Sequence, residues 1–327
     1  MKHILLTFDY ELFLGKQSGT VENCLLKPTK LLLETLKRHK AKSIFFIDTT
    51  YLMRMNELKN QYQAIFDDLE NIKKQLIQIV QEGHYLFHHL HPHWLDAKYD
   101  SNINQWDLSN TTHFYFHTIS DIQKTQIWNF SANFLNEIFT TAKIETISNG
   151  YRAGGLFIEP FLEIKPYFEQ YGVKYDFSAV SKIKKNQPYF FDDTTQELKT
   201  NGQFIEYPIS EILIQGITKI LNGLYYRFTK EKGFHKKMGD GTAVSSEINN
   251  KGKTIKNNYF TMNLPISVEL LNPILLSLYN KQITRNKYTH FLSHPKLLSY
   301  INIKCLDKLL NRVSQRYELN FDFELMN

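Results

Sequence analysis

Through its first half the chain alternates short apolar runs with segments of helical period, and few folds accept that rhythm. Residues 3–8, HILLTF, make a compact apolar run with Thr and Phe, which predicts a buried strand. Pro28 opens a helix whose positions Leu31, Leu32 and Leu36 keep a helical spacing, with Lys37, Arg38 and His39 suited to its C-terminal end. KSIFFIDTTYL reads as a second buried strand, and residues 57–81 as one long amphipathic helix stopped by Gly83. A third strand covers about 85–89. It is followed by a helix at 119–141, a strand at 144–149, the tract YRAGG, a helix at 159–170 and a short apolar strand in VKYDFSAV. Strand and helix repeated in this order predict a parallel sheet with crossover helices.

The pattern frays between about 215 and 285. KKMGDGTAVSSEINNKGKTIKNN is polar and rich in Gly and Asn, so it reads as a long loop, with the GDG at 239–241 as a turn. Order returns in YTHFLSHPKLLS and in an amphipathic helix at about 303–316. At 327 residues a single α/β barrel domain spanning 1–327 is expected, with 215–285 as an insertion in it.

Bulk chemistry excludes several function classes. Hydrophobic residues at 42% and charged residues at 22% are those of a globular protein. The net charge of +6 is spread along the chain without a basic stripe, so no nucleic-acid partner is expected. A phosphate-bearing substrate, or weak association with an anionic membrane surface, stays open. The apolar segments 205–228 and 260–279 are interrupted by Glu, Lys, Asn or Pro, so no transmembrane segment is expected. MKHILLTFDYELF has no signal-peptide pattern, and a cytoplasmic protein is the default. Cys24 and Cys305 form neither a CxxC motif nor a disulfide framework. The sequence says nothing about oligomeric state.

Two tracts carry chemistry. Asp9 and Glu11 follow the first apolar run, where the C-terminal end of a parallel strand should lie, and their spacing of two puts them on one face. Two carboxylates so placed favour a cation between them. Taken alone they equally fit a helix N-cap and a solvated glutamate. GHYLFHHLHPHW holds five of the twelve histidines. In an extended chain His89, His91 and His93 share a face and His88 points away, although Pro92 makes a turn there. Two imidazoles and one carboxylate that leave room for water are the pattern of a hydrolytic divalent-metal site.

In order along the chain, LLTFDYE, GHYLFHHLHPHW, YRAGGLF, YGVKYDFSAV and FLSHPKLLS resemble the five motifs of the polysaccharide deacetylase family, the NodB-homology or carbohydrate esterase family 4 type. The resemblance implies a distorted (β/α)7 barrel with an insertion before the last motif. It implies removal of N-acetyl groups from a sugar or glycan intermediate in surface-polysaccharide assembly. It makes Glu11, His89 and His93 the ligands of a divalent metal ion, Zn²⁺ first. Asp9 becomes the general base, Arg152 its partner, and His294 the general acid, with Asp176 supporting the acid. The departures are Tyr10 and Glu11 where the family has a second Asp and a Gly, Leu90 where it has Ser or Thr, and an extra His91. These imply a divergent FDxE branch. Two other outcomes stay open: a metal-free amidohydrolase of the same fold acting on a cyclic amide, and a glycan-binding barrel without activity. Outside the resemblance, Arg152 reads as a salt-bridge arginine, Asp176 as a turn residue and His294 as a loop residue or helix cap.

Overall fold

The computed structural model describes residues 3–158, 160–180, 199–201, 203–229, 232–242, 261–286 and 288–314. Its centre is one curled sheet. In chain order its strands are β1 (His3–Tyr10), β2 (Ile44–Asp48), β3 (Tyr85–Leu90), β6 (Gly150–Ala153), β7 (Tyr175–Asp176), β8 (Lys199–Asn201), β9 (Phe204–Glu206) and β12 (Tyr288–Ser293). Among the described residues, two small antiparallel pairs supply the other strands, β4 (Lys98–Asp100) with β5 (Gln105–Asp107) and β10 (Glu211–Gln215) with β11 (Thr261–Pro265). The sheet order is β12-β1-β2-β3-β6-β7-β9-β8, and every pairing from β12 to β9 is parallel. The seven parallel strands match the number the resemblance implies. The chain leaving β9 then reaches back to the other edge. Ser210 N–H donates to the His290 carbonyl at 3.1 Å, and Ser210 Oγ accepts from His290 N–H at 3.0 Å.

Alternation along the strands sorts side chains into two layers. Ile4, Leu6, Phe8, Phe45, Ile47 and Leu86 point outward into the main core, against α1 (Lys27–Arg38), α3 (Gln63–Gln81) and α8 (Tyr300–Val313). Leu5, Ile44, Phe46, Phe87, Tyr175, Phe177 and Tyr207 point inward and fill the curl. The inward row of β1 therefore runs Leu5, Thr7, Asp9, which carries Asp9 onto the inner side at the C-terminal edge. Burying both faces explains why these strands read as apolar runs.

Four expectations are corrected. The second strand stops at Asp48, whose Oδ1 accepts the Tyr51 N–H at 3.3 Å and caps α2 (Thr49–Leu58). Thr49 and Thr50 are β-branched, but the cap overrides that preference. Residues 57–81 do not form one helix: α2 and α3 are separated by a turn at 59–62. The strand expected at 144–149 lies at Gly150–Ala153. The preceding helix α4 (Asp121–Ala142) ends in a left-handed Lys143 (φ 59°), and the Ile144 and Ile147 that suggested a strand are exposed. The frayed tract is also more ordered than expected. β10 leads into it, and it contains β11, α6 (Gly216–Thr229) and α7 (Leu276–Arg285), the chain having passed through α5 (Phe161–Tyr171) earlier. Its Ile266, Val268, Leu275 and Tyr279 join the same core cluster as Leu6 and Leu306.

Residues 243–258 of the expected polar loop lie outside the described residues. The GDG before it is a tether: Asp240 accepts from Thr20 N–H, Thr20 Oγ1 and Asn23 Nδ2 at 2.8–2.9 Å. Cys24 and Cys305 are free and buried. Among the described residues, no helix is long and apolar enough to cross a membrane.

Candidate active site

The C-terminal edge of the parallel strands gathers most of the residues singled out above, as expected for this architecture. The anchor is Arg152 at the end of β6, which is fully buried. Its Nη1 donates to Asp9 Oδ1, its Nη2 to Thr7 Oγ1 at 2.7 Å and to His290 Nε2 at 2.8 Å, and its Nε to the Phe177 carbonyl at 3.1 Å. The guanidinium lies 4.0 Å from the centre of the Phe46 ring. His290 accepts from Arg152 because its other nitrogen donates to the Tyr207 carbonyl at 3.0 Å. Burial, with the adjacent guanidinium, holds His290 well below the usual imidazole range, so it sits there neutral. A buried charge is tolerated when its donors are matched in this way.

Next to Asp9, Glu11 is buried with its two oxygens in different roles. Oε1 accepts from Lys296 Nζ at 2.8 Å, and Lys296 also donates to the Leu12 carbonyl at 2.6 Å. Oε2 points at two imidazoles, 2.6 Å from His91 Nε2 and 3.4 Å from His89 Nε2. Burial pushes Glu11 upward, but Lys296, His91 and His89 outweigh it and hold the carboxyl well below its ordinary range.

His89 continues the inward row of β3. Its Nδ1–H donates to the Arg152 carbonyl at 2.8 Å, which fixes the tautomer and turns Nε2 toward Glu11. His91 lies just past the strand end, with Nε2 2.9 Å from that of His89. Gly154, from YRAGG, makes room for it. A Cβ there would come within 2.5 Å of the Leu90 carbonyl and 2.8 Å of His91 Nδ1. His88 points to the outer layer as parity requires, toward Ser131 Oγ at 2.7 Å and the Ser148 carbonyl at 3.1 Å.

Glu11, His89 and His91 thus offer three ligand atoms within 4.8 Å of one another. Among the described residues, the buried Glu11 Oε2 has no aligned hydrogen-bond donor, and neither ring nitrogen of buried His93 has a hydrogen-bond partner. One carboxylate oxygen and two imidazole nitrogens converging on one point fit a divalent cation. His93 stands apart from the triad of atoms. Pro92 starts a 3-10 turn (Pro92–Asp96) that breaks the alternation. The His93 ring lies 5.1 Å from that of His91 and stacks on Phe114 at 5.6 Å.

His294 follows β12 and closes the site from the other end of the chain. Nε2 lies 3.6 Å from Asp9 Oδ2 and 3.6 Å from Glu11 Oε1, while Nδ1 is 3.0 Å from Glu269 Oε1. Burial opposes its charged form, but the Glu269 hydrogen bond and the carboxylates Asp9, Glu269 and Glu11 raise its pKa.

Comparison with known proteins adds only broad likeness. No family model matches the chain, and no curated protein does. Among solved structures, the polysaccharide deacetylase Bc1974 from Bacillus cereus is 13% identical, with a TM-score of 0.40 over 100% of this chain and 95% of that one. The catalytic domain of peptidoglycan N-acetylglucosamine deacetylase from Eubacterium rectale is 13% identical, with a TM-score of 0.37 over 97% and 86%. Puue allantoinase is 10% identical, with a TM-score of 0.46 over 99% and 88%. Likeness at these values fixes neither family nor activity. The functional reading rests on the side chains.

Asp176 is the expected site residue that lies away from His294's ring nitrogens. It pairs with Tyr151 across β6 and β7, and Tyr151 belongs to the outer layer. Its Oδ1 accepts from Ser178 Oγ at 2.7 Å and Ser178 N–H at 3.3 Å, and burial pushes the carboxyl up to about 7. The carboxylate against His294 is Glu269. Sequence reasoning also missed Asp48, Lys296 and His290. Asp48 Oδ2 accepts from Trp94 Nε1 at 2.6 Å, and burial pushes it up to about 6 although His91 and His89 pull it down. An acid between a buried strand and a capped helix was the available signal for Asp48. A lone Glu within NLPISVELL was the signal for Glu269.

Proposed function

We propose that this chain is a hydrolase of the polysaccharide deacetylase type, removing N-acetyl groups from a sugar or glycan intermediate. The observation that carries the reading is the meeting, at one sheet edge, of an Arg152-bound carboxylate, a Glu11–His89–His91 cluster and His294. The ordered resemblance of five sequence motifs supports it independently.

A divalent cation, zinc first by the donor set, would be held by Glu11, His89 and His91, with His93 as the adjacent imidazole. When bound, such an ion polarises a carbonyl and acidifies a bound water. The protein's own groups do the rest. Arg152 occupies Asp9 Oδ1, so Oδ2 is the oxygen that takes a proton from the attacking water. Four donor contacts hold that guanidinium, and so Asp9 keeps one orientation. Lys296 neutralises the second oxygen of Glu11 and leaves Oε2 for the imidazoles. His294 carries the other proton. Glu269 fixes Nδ1 and favours the imidazolium, and Nε2–H faces the departing sugar amine.

The test is acetate release by the purified protein from nucleotide-linked, lipid-linked and oligomeric N-acetylated sugars. It is measured before chelation, after it, and after returning one equivalent of zinc. The reading expects release that chelation abolishes and zinc restores. Activity on a cyclic amide that survives complete metal removal points to the metal-free amidohydrolase. Glycan binding without release points to an inactive barrel.

A further inference from the structure

Helix α6 is built inside out. Ile217, Ile220, Leu221, Leu224 and Phe228 fall at i, i+3, i+4, i+7 and i+11, one stripe of a 3.6-residue helix. That stripe faces outward, with exposures of 74, 58, 47, 46 and 62% in that order. The polar residues face the protein instead. Asn222 is buried and accepts from Asn272 Nδ2 at 2.8 Å, the Tyr226 hydroxyl donates to the Glu269 carbonyl at 3.2 Å, and the Tyr225 hydroxyl lies 2.9 Å from His235 Nδ1. A surface helix of a water-soluble domain does the reverse. Phe234, in the turn that follows, adds an exposed ring at 72%. An apolar strip of this size and continuity marks an interaction surface.

The charges beside it select the partner. Residues 216–238 contain six Lys or Arg and a single acid, Glu231. Arg227, Lys232 and Lys236 are exposed around the stripe. With 14 residues the helix is about 21 Å long, short of the roughly 30 Å hydrocarbon core, so it suits lying in an interface and not crossing one. Docking on a second copy would set this basic rim against itself, which like-charge repulsion disfavours.

We propose that α6 and the basic turn after it seat the protein on an anionic lipid bilayer. The apolar stripe lies at the acyl boundary, and Arg227, Lys232 and Lys236 lie at the phosphate level. The anchor adjoins the catalytic edge, because Tyr226 bonds to the backbone of Glu269, whose side chain holds His294. Anchoring stands on its own observations. Its consequence, that the substrate is a lipid-linked glycan presented at the same surface, rests on the deacetylase reading.

Co-sedimentation of the full-length protein with phosphatidylcholine vesicles, with and without phosphatidylglycerol, is the test. Binding is expected to the anionic vesicles, much weaker binding to the neutral ones, and a decline as salt rises. Leu224→Glu/Phe228→Glu abolishes it with an unchanged melting temperature, since both side chains are exposed. Ile220→Ser/Leu224→Ser replaces that pair should glutamate lower the melting temperature. Lys232→Glu/Lys236→Glu weakens binding by about tenfold or more. Acetate release from a soluble substrate should not change in any of these variants, so failure of the anchor and failure of the deacetylase reading are distinguishable. No binding to anionic vesicles, or undiminished binding by the apolar variants, overturns the proposal. So does self-association in solution that the apolar variants abolish without any vesicle binding.

Discussion

Glu269 Oε1 lies 3.0 Å from His294 Nδ1, and this leaves Nε2 as the nitrogen that faces Asp9 and Glu11. The pair fixes both the tautomer and the charge of the imidazole, because an N–H pinned at Nδ1 and a neighbouring carboxylate favour the doubly protonated ring.

Replacing Glu269 by Gln should therefore lower kcat on an N-acetyl substrate by on the order of 10- to 100-fold, the usual cost of losing an imidazole's orienting partner. The sign of the pH effect is fixed. Glu269 raises the His294 pKa, so its loss moves the alkaline limb of the rate profile to lower pH. Metal content and KM should hold. An unmoved limb assigns Glu269 a purely structural part.

Asp9→Asn should abolish turnover while metal content stays at the wild-type level, since the base is not among the three clustered ligand atoms. The variant also leaves the buried Arg152 charge without its counter-charge, which typically costs about 3–5 kcal/mol of stability. A lower melting temperature with intact metal content is the expected pair of results. Loss of the metal would make Asp9 a ligand.

His84 gives a stability prediction away from the chemistry. It is buried, and its Nδ1 accepts the Ser43 N–H at 3.2 Å, which requires an unprotonated nitrogen. Burial, with Lys42 nearby, lowers its pKa from 6.5 to about 4. A histidine depressed in the folded state binds its proton more readily when unfolded. Its contribution, on the order of 3 kcal/mol, is complete above pH 6.5 and is lost as pH falls toward 4. Urea titrations across that window should show a stability slope that His84→Gln flattens.

Much of the sheet was readable because each buried strand is apolar on both faces, and strand parity then placed particular side chains. Asp9 and His89 extend inward rows, as their spacing suggested, and His88 faces outward. Pro92 limited the same logic at His93, since a turn discards parity. Glu269 was harder to see. It comes from a tract whose order depends on packing against β12 and α8, and no local spacing ties it to His294. Lys296, two residues past His294, carries no spacing that ties it to Glu11, yet its side chain turns back to that carboxylate. Helix α6 had an apolar period, but only the fold revealed that its apolar side faces out.

The histidines can be ranked by elemental analysis of single alanine variants. His89→Ala and His91→Ala should lose most of the bound metal, and His88→Ala should keep it, because its ring is engaged by Ser131 and Ser148. His93→Ala should fall between them, as its nitrogens have no hydrogen-bond partner among the described residues yet stand outside the triad. Full metal loss in His93→Ala with retention in His91→Ala would restore the ligand set implied by the motif resemblance.

A zinc-soaked crystal with an anomalous difference map tests the metal centre most directly. The account predicts one strong peak at about 2.0–2.2 Å from Glu11 Oε2, His89 Nε2 and His91 Nε2. It also predicts Asp9 Oδ1 still held by Arg152 and His294 still paired with Glu269. No peak at this edge, with Glu11 still between Lys296 and His91, would contradict it.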